Sequence, residues 1–272
     1  MELSKKKIAS FQNFIWDFYA CNERKFAWRN IDDPYNVVVS EIMLQQTQTD
    51  RISKRYPQFI KTFPDFNSLG CAPLRFVLAE WQGLGYNRRG KYLHEIAKKV
   101  VGKYRGQLPA DPEILVNFPG IGKATAGSIC AFAFNMPTVF IETNIRAVFI
   151  HIFFQDIEKV SDKELMPLIA ATVDKNNPRE WYYALMDYGV QLKKKCKNPS
   201  RRSKHHVKQS KFEGSDRQIR GMIIKQLTQV PKATLNCFYK TIDRESIRID
   251  KALQSLCSEG IIRKKADLFY IE

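Results

Sequence analysis

Two glutamates stand where carboxylates are costly. Glu142 lies inside the run NMPTVFIETNIRAVFIHIFF, residues 135–154, where its polar company is little more than Asn144 and Arg146. Glu41 follows three valines in YNVVVSEIMLQQTQTDRI and precedes Gln45, Gln46, Thr47 and Gln48. A carboxylate in such surroundings needs a partner or a task. One kept in an apolar pocket has a raised pKa and can deliver a proton. A third element, LVNFPGIGKATAGSI, sets Gly120, Ile121 and Gly122 ahead of a helix that should begin near Lys123. Glycines let the backbone approach a ligand, and the N–H groups of a turn and helix start can receive an anion. Gly120, Ile121, Gly122, Lys123 and Thr125 are therefore phosphate-binding candidates. A lone GxG says little, but Pro-Gly-Ile-Gly-Lys between two apolar helical runs is more specific. Such a grip holds the backbone of a nucleic acid and reads no sequence.

The elements that must position these groups are helical. KKKIASFQNFIWDFYACN puts Ile8, Phe11, Ile15 and Phe18 at helical spacing. DPYNVVVSEIMLQQTQTDRISKRYPQFIKTF opens on Asp-Pro, a helix-entry signal, and runs on with helical periodicity. APLRFVLAEWQGLG ends at Gly83 and Gly85, KYLHEIAKKVVGKYRG is amphipathic, and DPEILVNFPGIGKATAGSICAFAF reads as two helices around a turn. No alternation of strands and helices and no repeat is evident. From Lys193 to Lys211 the chain holds nine Lys or Arg and no acid, which reads as a basic linker. Beyond Glu213, SDRQIRGMIIKQLTQ with Ser215 as N-cap, then TIDRESIRIDKALQSLCSEG, then GIIRKKADLFYIE give helices followed by strand, turn and strand. That order resembles a winged helix, a module that binds DNA or protein.

The bulk composition agrees with a nucleic-acid partner. The chain has 272 residues, is 44% hydrophobic and carries a formal charge of +16. A core can form, and a polyanion is the leading partner for so basic a surface. The six cysteines form no CxxC pair, no run reaches membrane-span length, and the N-terminus is no signal peptide. A cytoplasmic, nucleoid-associated protein with reduced thiols is expected, with nothing calling for an oligomer, so a monomer.

Two carboxylates in apolar runs, a phosphate-gripping turn and a basic surface suggest cleavage of a glycosidic bond in DNA. One acid would protonate the departing base and the other would stabilise the positive sugar. The stretches WRNIDDPYNVVVSEIMLQQTQT, WQGLGYNRRGKYLH, FPGIGKATAG and ALMDYG resemble, in order, the MutY-like adenine mismatch glycosylases of the helix-hairpin-helix superfamily, over roughly Trp28 to Gly189. The resemblance implies an all-α, two-lobed fold over 1–192, with lobes at about 28–134 and 1–27 plus 135–192. A basic linker at 193–212 and a small winged-helix-like α+β domain at 213–272 would follow. It implies Glu41 as general acid, Glu142 in the place of the second catalytic carboxylate and facing Glu41 across a cleft, and Asn144 beside it. It puts Gln46 and Tyr86 at wedge positions, and Trp28, Arg29 and Gln45 at the base pocket. The target base must leave the stack for this chemistry, and the wedge fills the gap.

Several positions depart from that pattern. The second carboxylate is a glutamate rather than an aspartate. Lys193 stands where an iron–sulfur cluster's first cysteine would be, and Cys196 has no companion thiolates, so no cluster, metal or other cofactor is expected. Lys193, Lys194 and Lys195 are instead expected on DNA phosphates. Tyr183 replaces a base-contacting glutamine, and the winged-helix-like segment stands in place of the domain that recognises oxidised guanine. Ala124 occupies the position of a Schiff-base lysine. The expectation is a monofunctional glycosylase acting on a mispaired or damaged base in double-stranded DNA, first of all adenine opposite guanine or oxidised guanine. The alternatives are the same chemistry on a mismatched thymine, a deaminated or another modified base, or a catalytically silent DNA-binding protein; a transcription regulator built on the winged helix is more distant.

Overall fold

A computed structural model describes residues 3–208 and 211–272. The helices in chain order are α1 (Lys5–Asn22), α2 (Pro34–Leu44), α3 (Thr49–Thr62), α4 (Phe66–Cys71), α5 (Leu74–Glu80), α6 (Arg88–Tyr104), α7 (Pro112–Leu115), α8 (Lys123–Phe134), α9 (Thr143–Phe153), α10 (Asp162–Thr172), α11 (Pro178–Lys195), α12 (Asp216–Gln229), α13 (Leu235–Thr241) and α14 (Ser246–Ser258). Among the described residues there are also three short strands, β1 (Ala233–Thr234), β2 (Arg263–Lys265) and β3 (Leu268–Tyr270). Among the described residues no helix is long and apolar enough to cross a membrane.

The chain divides into two compact units. The first comprises Met1–Val37, Ala110–Asn117 and Ile121–Lys208. Its core forms where α1 meets α9 and α11. Phe11, Ile15 and Tyr19 make the buried stripe of α1, and the Phe11 ring meets Phe149, Phe153 and Trp181 edge-on at 5.3–5.8 Å. α8 belongs here and not with the residues around Glu41, a departure from the lobes expected at 28–134 and 135–192. Its apolar face explains the difference: Phe132 stacks on Tyr183, and Gly127 lies so near Phe140 that a Cβ would sit 2.9 Å from the Phe140 Cβ.

Much of the expected basic linker is built into this unit. α11 continues to Lys195, a 3-10 turn spans Pro199–Arg202, and Val160 pairs with Ser203 in a parallel bridge. Arg202 supplies the reason, donating to the carbonyls of Phe154 and Gln155 at the end of α9. The linker residues 209 and 210 lie outside the described residues.

The second unit comprises Val38–Pro109, Phe118–Gly120 and Gln209–Glu272. The helical run expected from Pro34 to Phe63 is broken at residues 45–48. Gln46 takes a left-handed φ of 55°, and the buried Arg89 draws off the last carbonyls of α2, from Ile42 and Met43, at 2.8 and 2.9 Å. The C-terminal segment forms the winged-helix architecture, with an antiparallel sheet in the order β1-β3-β2. Its core of Ile219, Ile223, Phe238, Ile249, Leu256 and Phe269 includes Leu78 from α5. Arg75 donates its backbone N–H to the Glu272 carbonyl and its guanidinium to the Thr228 carbonyl. The winged helix thus shares a continuous core with α5.

Candidate active site

α9 begins where it does because Glu142 caps it. Glu142 is extended, with φ −127° and ψ 178°, and its Oε1 accepts the N–H groups of Asn144 and Ile145 at 2.7 and 2.8 Å. Its Oε2 accepts Asn144 Nδ2–H at 3.1 Å. A carboxylate can accept about four hydrogen bonds, so Oε2 keeps room for one more. Asn144 is fixed in turn, because its Oδ1 accepts from Lys193 Nζ at 2.8 Å. Burial pushes the Lys193 pKa down, while the Glu142 charge works against that shift. One turn earlier on α11, Gly189 lets the backbone press on the cap; a Cβ there would lie 2.6 Å from the Asn144 carbonyl oxygen. Gly189 and Lys193 are four residues apart, so one face of α11 serves the Glu142–Asn144 cap.

Trp28, Arg29 and Tyr183 lie in the same unit. Arg29 donates from both Nη atoms to Asp187, at 2.8 and 2.7 Å, and its guanidinium covers the Tyr183 ring at 4.5 Å from the centroid. Arg24 joins through its backbone N–H at 2.9 Å and its Nε at 2.6 Å. Asp187, 2% exposed, is thereby fully satisfied. Trp28 stacks flat on Phe26 with centroids 4.6 Å apart. Asp187 belongs to the ALMDYG stretch, yet no periodicity in the sequence marks it as the acceptor for two arginines.

The second unit holds Glu41, Gln45, Gln46 and Tyr86. Glu41 is half-buried in α2. Gln45 Nε2 donates to the Gly120 carbonyl at 3.3 Å. Gly120 has φ +71°, and any Cβ would come within 2.5 Å of Tyr92 Cδ2, so the turn takes glycine for both reasons. Gln46 and Tyr86 share an unusual backbone: both are non-glycine residues with left-handed φ, 55° and 47°. Arg89 holds both turns, donating to Thr47 Oγ1 at 2.9 Å and to the Leu84 and Gly85 carbonyls at 3.2 and 3.1 Å. Burial brings its pKa down to about 10, with the Tyr86 phenol acting in the opposite sense. The sequence reading assigned no role to Arg89, because a buried arginine among carbonyls has no linear signature.

At the start of α8, Gly122 is the N-cap and offers no side chain to the first N–H groups. Lys123 and Ala124 are exposed and Thr125 is half-buried. That arrangement suits a phosphate oxygen. Lys194 and Lys195 are exposed at the end of α11, whereas Lys193 is turned to Asn144. The residues near Cys196 do not fit an iron–sulfur cluster: Cys196 Sγ donates to the Leu192 carbonyl, and a lysine precedes it by three residues. Among the described residues no three His, Cys, Asp or Glu side chains converge as a metal site.

Residues 39–171 match the family described as the HhH-GPD superfamily base excision DNA repair protein. The chain is 32% identical over 184 residues to an adenine DNA glycosylase of Buchnera aphidicola subsp. Baizongia pistaciae, covering 67% of this chain and 52% of that one. It thus spans about half the length of that relative. It is 26% identical over 280 residues to an adenine DNA glycosylase of Mycobacterium tuberculosis, covering 92% of this chain and 89% of that one. A solved thermostable thymine-DNA glycosylase superposes with a TM-score of 0.61 at 25% identity, over 68% of this chain and 87% of that structure. With the hairpin turn, the capped Glu142 and the winged two-unit fold in view, the chain belongs to the HhH-GPD superfamily of base excision DNA repair proteins.

Proposed function

We propose that the protein hydrolyses the N-glycosidic bond of a flipped base in duplex DNA, with adenine opposite guanine or oxidised guanine as the first substrate. The observation that carries this reading is the Glu142 carboxylate held at the start of α9 by two backbone N–H groups and Asn144, with one acceptor position left on Oε2. A fixed, acceptor-only oxygen suits a sugar that becomes positive as the base departs. Glu41 delivers the proton to the leaving base. Water then completes the hydrolysis, leaving an intact abasic strand.

The amine needed for a Schiff base and strand cleavage is not offered where the resemblance would put it, since Ala124 stands there. The reaction is accordingly monofunctional and needs no iron–sulfur cluster. The hairpin N–H groups and the exposed Lys123, Lys194 and Lys195 grip DNA phosphates, and the enzyme works as a monomer. Adenine as target is supported by the names of the two relatives. Tyr183 bears on it from the other side, because the buried ring is stacked on Phe132 and covered by Arg29.

The test is a single-turnover assay on duplexes carrying adenine, thymine, uracil, hypoxanthine or oxidised guanine, matched and mispaired, with alkali to reveal abasic sites. Wild type is compared with Glu41→Gln and Glu142→Gln. Excision of adenine from one mispair, abolished in both variants, is the expected result. Excision that survives in Glu142→Gln removes the proposed role of that carboxylate. No excision of any base, with salt-sensitive binding retained, would mean that Glu142 serves only as a helix cap in a silent binder.

A further inference from the structure

Helix α3 carries its charge on one side. Ile52, Tyr56 and Phe59 are buried, and Arg51, Lys54, Arg55 and Lys61 are exposed on the opposite side with Gln58 among them. At about 100° per residue, Arg51, Lys54, Arg55 and Gln58 fall within roughly a third of the helix circumference, with Lys61 at its margin. This stripe is unfavourable to the helix itself. Arg51 sits in the first turn, where the helix dipole disfavours a cation, and Arg51 repels Lys54 and Arg55 at spacings of three and four residues. The one acid of α3, Asp50, is also in the first turn. Among the described residues Arg51, Lys54, Arg55 and Lys61 form no ion pair, whereas Arg220, Arg244 and Arg248 of the same unit each reach a carboxylate. The stripe is thus a run of cations that no carboxylate of the protein compensates.

The stripe begins at the wedge. Arg51 lines a hollow of about 220 Å³ together with Gln46, Gln48 and Tyr86. Arg55 lies over the turn that leads to Tyr86: its guanidinium is 3.4 Å from the place a Gly83 Cβ would take. From Arg51 to Lys61 the helix advances about 15 Å, at roughly 1.5 Å per residue. A DNA strand carries one phosphate per about 3.4 Å of helix axis, so the stripe matches about four base pairs. Long, exposed cations suit phosphates, which carry charge and no sequence information. An acidic protein surface would also be drawn to them, but the continuity of the stripe with Gln46 and Tyr86 favours the duplex into which those residues would insert.

Resting on the glycosylase reading, we infer that the exposed face of α3 is a phosphate track for the duplex on one flank of the target nucleotide, running about four base pairs outward from the wedge. It holds the flanking backbone while the wedge distorts the stack.

The test is a salt titration of binding. The full chain is titrated with a duplex carrying a tetrahydrofuran abasic analogue opposite guanine, at several salt concentrations. Lys54→Gln combined with Lys61→Gln changes only exposed side chains and should lower the salt slope by about 1.8, with binding weaker by about tenfold or more. Lys54→Arg with Lys61→Arg should keep the wild-type slope. Trimming the duplex to about two base pairs beyond the analogue on one side should abolish the difference between wild type and the glutamine variant, and trimming the other side should leave it. A glutamine variant with wild-type affinity and slope overturns the inference and leaves the face to water or to an acidic protein. So does a difference that survives trimming on both sides. A wild type that excises a base while the glutamine variant binds as it does refutes this inference alone. One that neither excises nor favours the analogue over matched duplex refutes the glycosylase reading, while the slope comparison still decides whether α3 meets phosphates.

Discussion

Lys193 should govern the rate of excision and not the strength of DNA binding. Its ammonium donates to Asn144 Oδ1 at 2.8 Å, and Asn144 Nδ2 holds Glu142 Oε2 at 3.1 Å. Lys193→Met keeps an unbranched stem of similar length and removes the donor. A hydrogen bond from a charged group contributes about 1.5–3 kcal/mol. Because Lys193 is half-buried and water can replace part of the bond, a loss of about 1–2 kcal/mol is expected. If that energy serves to hold Glu142 in place, the single-turnover rate falls roughly fivefold to thirtyfold, at 1.36 kcal/mol per factor of ten. Lys193→Arg should recover much of the rate. Burial lowers the Lys193 pKa, so the wild-type rate should also decline on the alkaline side before that of Lys193→Arg. The salt slope of binding should be unchanged in Lys193→Met, whereas Lys194→Met and Lys195→Met should each lower it by about 0.9 where they meet a phosphate. A Lys193→Met protein with normal excision and a reduced salt slope would refute the reasoning and return Lys193 to the DNA backbone.

Gly189→Ala places a Cβ 2.6 Å from the Asn144 carbonyl oxygen, so α11 or the Glu142 cap must shift; a stability loss of about 1–3 kcal/mol and slower excision are expected, and denaturant melts with normal stability would show that α11 yields freely. Asp187→Asn leaves Arg24 and Arg29 facing a neutral amide in a site where Asp187 is 2% exposed; about 3–5 kcal/mol of unfolding free energy should be lost, and a change below about 1 kcal/mol would mean that water satisfies both arginines. His94 is held below its ordinary pKa of 6.5, first by burial and then by the Lys98 charge. The unfolded chain therefore takes up the proton more readily, so the stability tied to neutral His94 is complete above about pH 6.5 and is lost as pH falls below it. His94→Gln should flatten that acid limb in pH-dependent melts, and an unaltered limb would assign it to other groups.

The amino-acid sequence determined the helical class, the hairpin turn and the winged helix, because each rests on local chemistry. Asp33 and Pro34 start α2, with Asp33 Oδ1 accepting the Tyr35 N–H; Gly120 alone tolerates its turn; and the IIRKKADLFYIE stretch pairs β2 with β3. It also singled out Glu142, since a carboxylate in an apolar run is anomalous in any fold. Strand β1 escaped notice because two residues carry no period. The tertiary structure alone decided what each polar group touches. Helical periodicity predicts one continuous element from Pro34 to Phe63, and only Arg89, 47 residues beyond Ile42, shows why it breaks at Gln46. The run of lysines reads as a basic linker until Lys193 is seen on the Asn144 it holds, 49 residues away, and the hydrogen bond from Arg217 to Tyr86 spans 131 residues. Periodicity and propensity are properties of neighbours along the chain. Buried hydrogen bonds and charge pairs are made between residues that folding alone brings together, and they are satisfied only once the core has excluded water.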